Sequence, residues 1–230
     1  MNTQLTKLIL SLAVILFCSI APAQAAIVSI DDFASGVPLS SFGTTQADND
    51  GFHSGVIGGY RDTAVTATGG LNIFYSPIIG GTVAFDSLAG GSGFYRALYD
   101  GPGLDGSLNL DLLGVASDGQ FSLVVLDANG NGDAHVHVLD NSGHGLSVID
   151  PISNGFSGVL NFSYTDYLLA GVDLTDIKSI SLVITSSGVA DDFTFGAFTA
   201  TNVVPEPASF SLLALGGLLV LRRRNRERLV

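Results

Sequence analysis

The chain has 230 residues, of which 26–204, a stretch of 179, is the part free of apolar terminal runs and long enough for one domain with a hydrophobic core. That stretch carries three basic side chains (Arg61, Arg96 and Lys178) against nineteen Asp, a net charge of −16, which excludes a nucleic-acid surface built on clustered Lys and Arg and disfavours an anionic membrane surface as partner of the folded part. It contains no Glu, Trp, Met or Cys, while Gly, Ser, Thr, Val, Ile and Phe abound, which points to strands and turns rather than helices.

Residues 1–7 are polar with Lys7, and residues 8–21 form an apolar run of fourteen. As a helix that run rises about 21 Å, short of a hydrocarbon core of roughly 30 Å. Ala23 and Ala25 then stand at −3 and −1 of a cut before Ala26. Charged start, short apolar middle and small-residue cleavage site together predict a secretory signal peptide over 1–25 with Ala26 as the mature N-terminus. Cys18 lies inside the apolar run, so the mature protein is expected to hold no thiol or disulfide.

Between 26 and 204, short apolar or alternating runs are broken by Gly, Asp, Asn and Pro. Strands are predicted near 27–33, 54–58, 63–67, 71–76, 79–85, 93–99, 121–127, 134–139, 155–164, 177–185 and 192–199. Leu160, Phe162 and Tyr164, like Ile180, Leu182 and Ile184, alternate with period two and would bury one face of a sheet. The stretch 165–176 reads as a helical turn or loop. The expected fold is all-β, a two-sheet jelly-roll β-sandwich, with an N-terminal signal helix and a C-terminal hydrophobic helix outside it.

Two acidic groups are candidate Ca²⁺ sites. Asp31-Asp32 near the first strand and Asp191-Asp192 at the last supply carboxylates from both ends of the domain, against the simpler reading of strand-end Asp facing water. Asp127, Asn129, Asn131 and Asp133 place oxygen side chains at alternate positions, as calcium loops do. The position where an EF-hand needs a bidentate acid is Val138, and a hairpin turn between flanking strands is the favoured reading. His135 and His137 share one face of a strand without an apparent third metal ligand, which favours surface histidines. Gly101-Pro-Gly103-Leu-Asp-Gly106 fits G-x-G-x-x-G in letters only, because Pro102 interrupts it and no helical period follows. No catalytic motif stands out, and no catalytic residue is assigned.

The C-terminal segment 203–228 holds three features in fixed order: Pro205-Glu206-Pro207, an apolar run from Ala208 to Leu221, and a basic cluster with Arg222, Arg223 and Arg224. The basic cluster should stay cytoplasmic, and the fourteen-residue run is short for a permanent span. This arrangement resembles the PEP-CTERM sorting signal of Gram-negative bacteria, the substrate tag of exosortase. The resemblance implies export through the secretion machinery, transient anchoring in the inner membrane by the C-terminal helix (205–228), cutting near Pro205–Pro207, and secretion or surface attachment, often alongside exopolysaccharide.

Within 26–204, Ile57-Gly-Gly-Tyr-Arg61-Asp62, Tyr99-Asp-Gly101, Asp173-Leu-Thr-Asp-Ile177 and Asp191-Asp-Phe-Thr-Phe195 are together similar to galactose-binding-like jelly rolls, which include many carbohydrate-binding modules. That resemblance implies a fold more than a ligand, and a structural Ca²⁺ where the first and last strands meet. The expected function is a non-catalytic, sorted surface or matrix protein that binds polysaccharide; the alternatives are an exported polysaccharide-active enzyme and a purely structural matrix protein. Without Trp, sugar stacking would fall to Tyr60, Tyr75, Tyr95, Tyr99, Tyr164 and Tyr167.

Overall fold

In a computed structural model the described residues are 25–203, apart from 37, 43–44, 68–69, 77–80, 88–91, 103–105, 114–117, 187 and 189–190. Thirteen strands account for most of them: β1 Ala25–Asp31, β2 Leu39–Phe42, β3 Thr45–Phe52, β4 Tyr60–Ala67, β5 Gly70–Ser76, β6 Thr82–Ser87, β7 Gly93–Tyr99, β8 Gln120–Asn129, β9 Gly132–Asp140, β10 Gly145–Ile152, β11 Gly158–Ser163, β12 Ile177–Ser186 and β13 Asp192–Val203. One short helix, α1, spans Tyr164–Leu169. Both apolar terminal runs, and the two helices expected of them, lie outside the described residues. Among the described residues no helix is long and apolar enough to cross a membrane.

The strands form two antiparallel sheets. Sheet A runs β11-β8-β13-β6-β5-β2, with β1 also paired to β13, and sheet B runs β10-β9-β12-β7-β4-β3. The chain crosses repeatedly between the sheets, from β8 to β9, β10 to β11, β11 to β12 and β12 to β13, which is the winding of a jelly-roll sandwich. Period-two alternation fills the space between them. Phe121, Phe193, Phe195 and Phe198 project from sheet A, and Val136, Val138, Ile180, Leu182 and Ile184 from sheet B, all buried. The Ser163 hydroxyl caps α1 by accepting from Thr165 N–H at 3.2 Å. The helix inserts Tyr164 and Tyr167 beside Phe121, with ring centroids 5.0 and 5.5 Å away, and the Tyr167 hydroxyl donates to the Val136 carbonyl across the core at 2.8 Å.

The segment 54–58 is a turn followed by a 3-10 turn, not a strand; Gly58 and Gly59 there have φ of 68° and 78°, which extended backbone excludes. Strands β2, β3 and β10 fall where none was expected. The segment 127–133 is not a hairpin either: β8 and β9 belong to different sheets, so Gly130 and Asn131 carry the chain across the core. Gly130 has φ 138°, and a Cβ there would lie 2.0 Å from the Asp191 carboxylate. The hairpin sits one strand later, at 141–144, between β9 and β10.

Arg61 is the largest fully buried side chain. It projects inward from β4 in sheet B and donates to Asp31 Oδ2, at the end of β1 in sheet A, at 2.6 Å. The same oxygen accepts from the Tyr99 hydroxyl of β7 at 2.9 Å, while Oδ1 accepts from Phe33 N–H at 2.8 Å. Burial pushes the Asp31 carboxyl up from the usual range, opposed by the Arg61 charge and these hydrogen bonds. Asp31→Ala would leave a buried guanidinium without a counter-charge and is expected to cost about 3–5 kcal/mol, read as a lower urea midpoint at unchanged slope. The double variant Asp31→Leu/Arg61→Met should recover most of that loss.

Candidate functional site

Asp31, Asp32 and Asp191 each take partners within the protein. Asp31 takes its counter-charge from Arg61. The edge of β13 at 192–195 is occupied by β6, and β1 also pairs with β13. Asp32 Oδ1 accepts from Ala34 N–H at 2.9 Å. Asp191 is saturated by Gly188 N–H at 2.7 Å, the Ser186 hydroxyl at 3.0 Å and Asn131 N–H at 3.3 Å; it ties the β12–β13 connection to the β8–β9 crossing. In the second group, Asp127 and Asn129 face outward from sheet A, and Asp133 faces outward from sheet B. Asn131 accepts from Asn154 N–H at 3.0 Å. Among the described residues no three His, Cys, Asp or Glu side chains converge on a metal position. Ala25 and Ala26 open β1; Ala23 and the sorting residues Pro205, Glu206, Pro207, Arg222, Arg223 and Arg224 lie outside the described residues.

Four of the six tyrosines, Tyr95, Tyr99, Tyr164 and Tyr167, are core residues and cannot stack on a ligand. Tyr75 lies in β5, where only its backbone is described. Tyr60 is half-buried on the outer face of sheet B, edge-to-face with Phe52 at 5.9 Å, and Phe52 is 71% exposed. The aromatic available to solvent is therefore a phenylalanine from a polar edge strand.

Strand pairing builds three rungs across the outer face of sheet B. They are Ser147–His137–Ser181–Leu98–Asp62, Ile149–His135–Val183–Arg96–Ala64 and Pro151–Asp133–Thr185–Phe94–Thr66. Along central β12 the outward side chains are small. Ser181 is only 7% exposed although it faces out, because taller residues of β9 and β7 stand on either side. The result is a shallow trough with Ser181, Val183 and Thr185 as floor, His137, His135 and Asp133 as one wall, and Leu98, Arg96 and Phe94 as the other. Strand spacing sets its width near 10 Å and its length near 14 Å.

Several polar groups in the trough have no protein partner. His135 Nε2 is buried without a hydrogen bond. Burial lowers the His137 pKa, so its imidazole is neutral at neutral pH and keeps an acceptor nitrogen. A Cβ at Gly145 would stand 3.2 Å from His137 Nε2, so the glycine keeps that side clear. Arg96 is exposed and has no ion pair or hydrogen bond with another described residue. Sheet A differs. On its outer face Gln120, Ser122 and Asn161 satisfy one another at 2.9–3.3 Å.

A second outward arrangement on sheet A pairs two carboxyls. Asp192 of β13 stands opposite Asp86 of β6 and Asn129 of β8. Burial raises the Asp192 pKa, reinforced by its hydrogen bond to Asp86 and that residue's charge. One Asp192 oxygen, Oδ1, has no partner. Between about pH 3.9, the unfolded Asp value, and the raised folded value, the folded state holds the extra proton, so this pair's stability contribution falls as pH rises. Asp192→Asn should therefore stabilise the protein at neutral pH by about 0.5 kcal/mol, the scale of a cross-strand like-charge pair. It should also flatten the acid side of the profile of melting temperature against pH.

The compact unit comprises residues 26–203, and residues 203–226 match the model of the PEP-CTERM protein-sorting motif. No curated protein sequence matches the chain. Several solved structures resemble it, among them these three. One is a family 11 carbohydrate-binding module from Clostridium thermocellum in complex with a β-1,3-1,4-mixed-linked tetrasaccharide, 10% identical with TM-score 0.38 over 81% of this chain and 100% of that one. Another is a variant of a family 29 carbohydrate-binding module complexed with cellulohexaose, 14% identical with TM-score 0.39 over 81% and 100%. The third, PfGH50B, is 6% identical with TM-score 0.42 over 62% of this chain, which spans 22% of its length. At these TM-scores the likeness carries no argument about ligand, and the sandwich is defined by its own strand pairing. The chain carries a PEP-CTERM sorting motif, which implies export and membrane-anchored sorting by exosortase.

Proposed function

We propose that this is an exported, exosortase-sorted surface or extracellular protein of a Gram-negative bacterium whose jelly-roll domain binds polysaccharide without cleaving it. The observation that carries the binding half is the trough on sheet B. It is an open, elongated depression with imidazoles, a guanidinium, hydroxyls and an apolar ring in rows. Polysaccharide chains present hydroxyls and apolar ring faces at regular intervals, and such rows match them. The trough holds no nucleophile hydrogen-bonded to a base.

An exported enzyme on the same fold would draw on two other arrangements. The Ser35 hydroxyl lies 2.8 Å from His53 Nδ1, but His53 Nε2 has no hydrogen-bond partner, so no third group orients the imidazole as a base. Asp86 and Asp192 hydrogen-bond each other directly. Glycosidase carboxyls stand roughly 5–9.5 Å apart to admit the sugar, and this pair leaves no such room. The non-catalytic reading is the stronger.

Two outcomes test the proposal. His137→Ala should weaken retention in polysaccharide-containing native gels by about tenfold, the loss of one or two ligand hydrogen bonds, with melting temperature unchanged. Equal retention of variant and wild type on every glycan would remove the trough reading. For sorting, Glu206→Ala should leave the chain full-length and membrane-bound in an exosortase-containing host, where wild type is shortened and released. Identical mass and membrane association of wild type with and without exosortase would make it a simple tail-anchored protein.

A further inference from the structure

Of the three basic side chains between residues 26 and 204, one is spent inside the core. Arg61 is fully buried against Asp31. Lys178 sits at a bulge at the start of β12, where the pairing with β9 slips between Ile177 and Ser179. Arg96 is placed differently. It stands at the middle rung of the trough wall, exposed, opposite His135 across Val183. Its direct cross-strand neighbours are Val183 and Ala64, neither of which can accept a hydrogen bond through its side chain. Its neighbours along the same face of β7 are Leu98 and Phe94, both without acceptors. In a domain with nineteen Asp, the trough cation is thus surrounded by apolar side chains rather than carboxylates. The acids of the same face, Asp62 and Asp133, stand one rung away on β4 and β9, and neither forms an ion pair with Arg96.

This inference rests on the polysaccharide-binding reading and adds the ligand's chemical class. We infer that Arg96 is a specificity-determining residue for the carboxylate of a hexuronic acid, so that the trough takes an acidic polysaccharide. A guanidinium presents two parallel N–H groups that match the planar, two-oxygen carboxylate. The apolar flank of Leu98, Val183, Ala64 and Phe94 lowers the local dielectric and strengthens that contact relative to one in open water. His137, one rung along the opposite wall, keeps an acceptor nitrogen that can meet a hydroxyl of the same or the next sugar ring. The domain's overall negative charge opposes a polyanion at long range, but at physiological salt that repulsion is screened beyond about 8 Å. At contact the single guanidinium decides. A neutral glucan gains nothing from its charge.

The probe pair is polygalacturonate and its fully methyl-esterified form, which share a backbone and differ in the free carboxylate. Retention of the full chain in detergent micelles is measured in affinity gels containing each, with a neutral mixed-linkage β-glucan and a sulfated galactan as further arms. Wild type is expected to prefer the free acid over the ester by about tenfold, the scale of one charge-assisted contact. Arg96→Gln should abolish that preference, and Arg96→Lys should retain part of it, with melting temperatures unchanged because the side chain is exposed. Equal retention on acid and ester, or an acid preference that survives in Arg96→Gln, overturns the carboxylate assignment while leaving the trough reading in place. Preference for the sulfated galactan over polygalacturonate overturns it likewise. Retention on none of the four glycans overturns both readings.

Discussion

The sandwich depends on one buried ion pair. Asp31 ends β1, the first strand of the domain, and belongs to sheet A; Arg61 and Tyr99 belong to sheet B. The two sheets are also joined by chain crossings, by apolar contact and by the Tyr167 hydroxyl's bond to the Val136 carbonyl. Here a charge-assisted hydrogen bond crosses the core and sets the position of β1 against β4 and β7. Buried pairs of this kind contribute little net stability against a hydrophobic replacement, and their best-supported use is to fix one arrangement over its neighbours. A strand at the start of a domain with no cysteine in its sequence has most need of such a register pin. The pair also accounts for the strict local geometry nearby. Phe33, with φ 49°, donates to Asp31, and the Asp32 carboxyl fills the space beside Gly55 that any Cβ would occupy.

Sequence patterning located the interior of this fold and missed its margins, for one physical reason. Alternation is a record of burial on one face. Strands β8, β9, β12 and β13 alternate because both their neighbours and the opposite sheet demand it, and β11, although an edge strand, still buries Leu160 and Phe162. The three strands that left no trace, β2, β3 and β10, are the other edges of the two sheets. The β3 sequence TQADNDGF is polar throughout, and β10 carries Pro151, which an edge tolerates because its free N–H side needs no donor. The misplaced hairpin has a related cause. Asp127 to Asp133 has the composition of a turn, and composition does not say whether the turn returns the chain to the same sheet or sends it to the other.

The candidate site was half legible for a similar reason. His135 and His137 share a face by parity alone, visible in one strand. What makes that face a trough is the neighbour strand β12, more than forty residues later, whose outward residues are small, and β7, about forty residues earlier, which supplies Arg96. No local pattern joins these three segments. The acidic groups have partners of the same long-range kind. Asp31 and Asp191 look free in sequence, yet their partners are Arg61, thirty residues away, and backbone N–H groups of turns that only the folded chain brings near. The counter-charge of Asp31 inside the domain is Arg61.

The sorting motif needed none of this, because it is one contiguous run of residues and its information is local. The division has a structural counterpart. Both ends of the compact unit, β1 and β13, belong to sheet A, on whose outer face Gln120, Ser122 and Asn161 hydrogen-bond one another. The trough lies on sheet B, to which neither terminal strand belongs. The strand that leads to the sorting motif, β13, is thus in one layer, and the trough is on the outside of the other. Sorting and binding can then be separate properties of one chain, the first written in a linear peptide and the second in the pairing of strands distant in sequence.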